Sequence, residues 1–97
     1  MRLRTTEATI IKQTVRKFFG NEAKVFLFGS RTDNSKKGGD IDLYIETAVK
    51  ENLFQKKVHL IQKLYEQLGE QKIDVVVNNF TNSLPIHKVA RNEGILL

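Results

Sequence analysis

Four polar residues in this chain have types and spacing suited to phosphate chemistry. Phe28-Gly29-Ser30 is followed by nine residues and then Asp40-Ile41-Asp42, so a Gly-Ser turn closes an apolar run and two carboxylates come one residue apart. On a strand, residues i and i+2 point to the same face, roughly 6.6 Å apart along the chain. Two carboxylates so placed can converge on one divalent cation or on a pair of them. The glycine lets a phosphate approach the backbone, and the serine adds a hydroxyl. A third carboxylate, Asp74, interrupts the β-branched run Ile73-Asp74-Val75-Val76-Val77. Read as a central strand, that run requires Asp74 to be paired, solvated or metal-bound, because a bare buried carboxylate is too costly. If this strand neighbours the one carrying Asp40 and Asp42, three acids and a Gly-Ser turn share one sheet edge.

The chemistry that follows is metal-dependent phosphoryl transfer. Mg²⁺ prefers oxygen ligands and bridges carboxylates to substrate phosphates. Two ions about 3.5–4 Å apart can clamp the attacking and leaving oxygens of an in-line displacement. Asp40 and Asp42 are the candidates to hold both ions. Asp74 would touch the ion beside the acceptor hydroxyl and help remove its proton. Gly29 and Ser30 would meet the triphosphate, and Arg31, Lys36 and Lys37 would neutralise the pyrophosphate. Taken singly, an Asp-x-Asp is often a solvated strand end, and Asp74 could simply pair with Lys72. The joint order of the motifs is much more specific.

Alternating helices and strands must position these groups. Ile10, Ile11, Val15, Phe18 and Phe19 give the stretch from about Thr6 to Phe19 one apolar helical face, and Gly20 suits its stop. Val25–Phe28 reads as a buried strand, Arg31–Gly39 as a polar loop, and Asp40–Glu46 as an alternating strand. In that strand Asp40, Asp42 and Tyr44 face one way and Ile41, Leu43 and Ile45 the other. Leu53 to Leu68 has helical spacing closed by Gly69, Lys72–Val77 is a third strand, and Pro85 opens a short helix to about Asn92. The unit from Asp40 to Val77 should form a right-handed crossover with parallel strands, with the Val25–Phe28 strand beside the Asp40 strand. The expected fold is a small α/β (α+β) domain over residues 1–97, a mixed sheet packed by helices.

Phe18, Phe19, Phe26, Phe28 and Phe54 are read as core, and His59 as a partly buried packing residue. Tyr65 is read as core or interface. Tyr44 either lines the cleft or sits on its rim. His87 and Arg91, one turn apart on the last helix, read as a solvated face rather than as ligands.

Composition narrows the class. The 97 residues hold 40% apolar and 28% charged side chains, ordinary for a globular domain. No run approaches the ~20 apolar residues of a membrane span. Arg2 and Arg4 lead into Thr5, Thr6 and Glu7 rather than an apolar signal core, so a cytoplasmic location is expected. There is no cysteine, which excludes disulfides and cysteine-based zinc sites. The net charge of +5 fits contact with phosphates or a lysine-solvated surface. The basic residues are scattered, with no arginine-rich tract and no aromatic-basic interleaving, so direct nucleic-acid binding is not expected.

Leu27-Phe28-Gly29-Ser30, Asp40-Ile41-Asp42-Leu43 and Ile73-Asp74-Val75 together resemble the minimal nucleotidyltransferases of the DNA polymerase β superfamily. Pro85-Ile86 through Glu93-Gly94-Ile95-Leu96-Leu97 is similar to that family's closing segment, so the resemblance covers nearly the whole chain. It implies the polymerase β-like fold, a nucleoside triphosphate donor such as ATP, and Mg²⁺. Matched by motif, the metal ligands fall on Asp40, Asp42 and Asp74, and the phosphate contacts on Gly29 and Ser30. Gly39 departs from the serine or other polar residue often found before the first aspartate, which removes no ligand. Larger relatives carry a helical domain for the acceptor; here the resemblance implies a small all-helical partner of the HEPN type. In such pairs the nucleotidyltransferase is the antitoxin, and some transfer AMP to a tyrosine of the partner. Three functions therefore stand open. The chain is an enzyme transferring a nucleoside monophosphate to a protein or small acceptor, a non-catalytic nucleotide-binding antitoxin or regulatory subunit, or a small nucleic-acid-binding domain.

Overall fold

A computed structural model describes residues 5–28, 41–69, 72–79 and 92–97. In chain order the elements are α1 (Thr5–Phe19), β1 (Lys24–Phe28), β2 (Ile41–Glu46), α2 (Leu53–Leu68), β3 (Ile73–Asn78) and β4 (Ile95–Leu96). The expected loop at 31–39 and all but the end of the helix from Pro85 to Asn92 lie outside the described residues.

The helices are set by their apolar spacing and their ends. Ile11, Val15 and Phe19 recur every fourth residue of α1 and are all buried. Glu7 in the first turn and Arg16 and Lys17 in the last complement the helix dipole. Gly20, at φ +96°, donates its N–H to the Arg16 carbonyl at 3.0 Å, a left-handed stop that suits glycine. Thr47, just after β2, donates its hydroxyl to the Phe19 carbonyl at 2.9 Å. That bond satisfies one of the carbonyls a helix end leaves open and pins α1 to the end of β2.

The strands form one mixed sheet in the order β3-β2-β1-β4. β1 runs antiparallel to β2 and to β4, whereas β2 and β3, joined through α2, are parallel. Both helices cover one face. There Val25, Leu27, Ile41, Leu43, Ile45, Ile73 and Val75 meet Ile11, Val15 and Phe19 of α1 and Leu60 and Leu64 of α2. On the opposite face Phe26 and Tyr44 form a second buried cluster, flanked by Phe28 and Val76, with the Phe26 and Tyr44 rings 5.6 Å apart. The alternation expected of β2 therefore holds from Ile41 to Ile45.

Several expected core positions differ. Phe54 is 76% exposed, because its neighbour Leu53 takes the core-facing position of the first turn and Leu60 and Leu64 continue that stripe. Tyr65 is 40% exposed and so is not core. His59 is exposed rather than partly buried, its ring 6.3 Å from that of half-buried Phe18. Among the described residues β3 is an edge strand, not a central one. The two-residue β4 was not expected as a strand. It pairs Leu96 with Phe26 and Ile95 with Leu27 and covers the far edge of β1.

Candidate active site

The β2/β3 ladder brings two of the three acids together. Asp42 and Asp74 are direct partners in the parallel register. They sit on the sheet face opposite the helices, on strands that lie about 4.8 Å apart. β1 contributes the next position: Phe28 is the antiparallel partner of Asp42. The chain thus leaves β1 beside Asp42 and passes at once into Gly29-Ser30. Asp40 directly precedes Ile41, whose N–H donates to the Lys72 carbonyl at 2.9 Å. Gly29, Ser30, Arg31, Lys36, Lys37, Asp40, His87 and Arg91 themselves lie outside the described residues.

The two described acids have different surroundings. Asp42 is half-buried. The Asp74 side chain is 52% exposed on the edge strand, so solvent meets the requirement that a central strand would have placed on a partner. Lys72 Nζ stands 4.0 Å from Asp74 Oδ2, the outer limit of an ion pair. Such an exposed pair is worth ~0–1 kcal/mol. Two carboxylates on one rung repel each other, and the donor set they make is of hard oxygens only. That set fits a hard divalent cation, which would relieve the repulsion. Among the described residues no group of three metal-ligating side chains occurs.

Tyr44 neither lines a cleft nor sits on a rim. It is 1% exposed; its hydroxyl donates to Glu46 Oε2 at 2.8 Å and accepts from Asn78 Nδ2 at 2.9 Å. Glu46 and Asn78 are themselves 6% and 9% exposed. Sequence reading missed this buried polar group, although its residues continue the Asp42 and Asp74 faces at period 2.

Residues 9–97 match the family model for the nucleotidyltransferase domain. The chain belongs to the nucleotidyltransferase domain family. No curated protein shows a significant match to it. Among the described residues, two helices and a four-stranded mixed sheet are consistent with a nucleotidyltransferase fold. Family membership makes nucleotidyl transfer the general activity, with a nucleoside triphosphate and a divalent metal as its usual requirements. Among the described residues no helix is long and apolar enough to cross a membrane.

Proposed function

We propose that this nucleotidyltransferase moves AMP from ATP to a hydroxyl, with Mg²⁺ as the metal, and that the hydroxyl belongs to a small helical HEPN-type protein that the chain neutralises as an antitoxin. The observation that carries the catalytic part is the pairing of Asp42 with Asp74 on one rung, next to the Phe28 end of β1. Asp42 and Asp74, with Asp40 one residue before β2, would hold the metal. When bound, it supplies positive charge to the triphosphate oxygens and makes the acceptor hydroxyl more acidic. Gly29, Ser30 and Arg31 follow Phe28 directly and receive the triphosphate in this reading. Asp74, open to solvent on the edge strand, takes the proton of the acceptor hydroxyl. The acceptor oxygen bonds to the α-phosphorus, the bond to the bridging oxygen breaks, and pyrophosphate leaves.

The partner and the antitoxin role rest on the family resemblance of the sequence motifs. The test is a transfer assay with Mg²⁺ and α-labelled ATP, adding any small helical protein encoded beside this chain. Label on that protein, lost with Asp42→Asn, supports the proposal. A stable complex without label on either protein favours a binding module that neutralises by contact.

A further inference from the structure

The core face of the β2/β3 ladder fixes its register only in part. It carries Ile41, Leu43 and Ile45 on β2 against Ile73, Val75 and Val77 on β3. A slip of one residue would turn every side chain to the wrong face and is excluded by the pattern. A slip of two residues keeps two of the three aliphatic pairs and sets the third aliphatic, Ile45 or Ile41, against Asn79 or Gln71, so this face opposes it only at one end of the ladder. Asp42 and Asp74 would no longer share a rung.

The opposite face carries the discrimination. Glu46 and Asn78 are direct partners, and the Tyr44 ring runs along the strand so that its hydroxyl reaches both. Asn78 Nδ2–H donates to Tyr44 Oη, and Tyr44 Oη–H donates to Glu46 Oε2, all three residues being buried. A two-residue slip in either direction carries Asn78 roughly 6.6 Å along the strand from that hydroxyl. It would strip a buried hydroxyl of a donor it cannot replace from water. We propose that Tyr44 and Asn78 are positioning residues: their hydrogen bond selects the β2/β3 register that places Asp74 beside Asp42. A buried polar contact then specifies one arrangement among several that apolar packing tolerates. The functional half of this inference rests on the site reading above; the structural half does not.

The test compares Tyr44→Phe and Asn78→Leu, read separately, with Leu64→Ala, a core variant outside the polar group. Cross-strand amide and Hα contacts in nuclear magnetic resonance spectra report the register without turnover. The expected result is a second set of β2/β3 contacts displaced by two residues, or exchange broadening confined to β2 and β3, in either positioning variant and not in Leu64→Ala. Tyr44→Phe should also lower kcat at least tenfold with KM for ATP within threefold. One register with sharp β2 and β3 signals in both variants overturns the proposal, and so does equal broadening in Leu64→Ala. Transfer retained by Asp42→Asn would instead contradict the site reading while leaving the register result intact.

Discussion

Replacing Asp74 by asparagine separates catalysis from stability. The side chain is half exposed on an edge strand, and its ion pair with Lys72 spans 4.0 Å. Losing that pair removes ~0–1 kcal/mol. The substitution also removes the repulsion from Asp42 on the same rung, a gain of about 0.2–1 kcal/mol. The two effects oppose each other, so the net change stays within about 1 kcal/mol in either direction. In a domain of this length ~1 kcal/mol moves Tm by about 4–8 °C, so the expected shift is no more than about 8 °C. Catalysis should respond differently. A carboxylate acting on the acceptor hydroxyl through a metal and as a base supports several kcal/mol of transition-state stabilisation. Losing about 3 kcal/mol lowers kcat by about 100-fold. If Asp74 serves the acceptor side, as proposed, binding of ATP should change by less than threefold. Thermal unfolding, single-turnover transfer and ATP titration read the three quantities. Transfer within threefold of wild type, or an equal loss of binding and chemistry, would refute the assigned role.

Other expectations follow from burial. Leu60→Ala should destabilise the domain by about 2–5 kcal/mol in urea unfolding, since Leu60 is fully buried between α2 and the sheet. Phe54→Ser should change stability by less than about 0.5 kcal/mol, because the ring is 76% exposed. Thr47→Val should cost about 1–3 kcal/mol by leaving the Phe19 carbonyl without its buried donor, with faster hydrogen exchange at the C-terminal end of α1.

The strands and helices that frame the site were legible because their local patterns are strong. Ile41–Ile45 alternates strictly, and α1 and α2 keep apolar residues three and four apart. Asp42 and Asp74 were legible as a pair because a helix joining two short strands favours a parallel neighbour. Phe54 was misread because Leu53 and Phe54 are adjacent, 100° apart on the helix, and both are large and apolar; only the position of the sheet decides between them. Asp74 was placed on a central strand because β-branched residues fill edge and central strands alike. β4 is too short to carry a period of its own; its pairing with β1 is a contact between opposite ends of the sequence. The Tyr44–Asn78 bond spans 34 residues. No local pattern marks it, and a tyrosine next to an aspartate motif reads as readily as a cleft residue.

The most direct test of the central claim is where a divalent metal binds. Mn²⁺, a paramagnetic stand-in for Mg²⁺, is titrated with a non-hydrolysable ATP analogue into the isotopically labelled full chain. Broadening is expected to centre on the amides of Asp42 and Asp74 and to reach the Phe28 end of β1, and to be lost in Asp42→Asn with the rest of the spectrum preserved. Broadening centred elsewhere, or unchanged by Asp42→Asn, would contradict the claim.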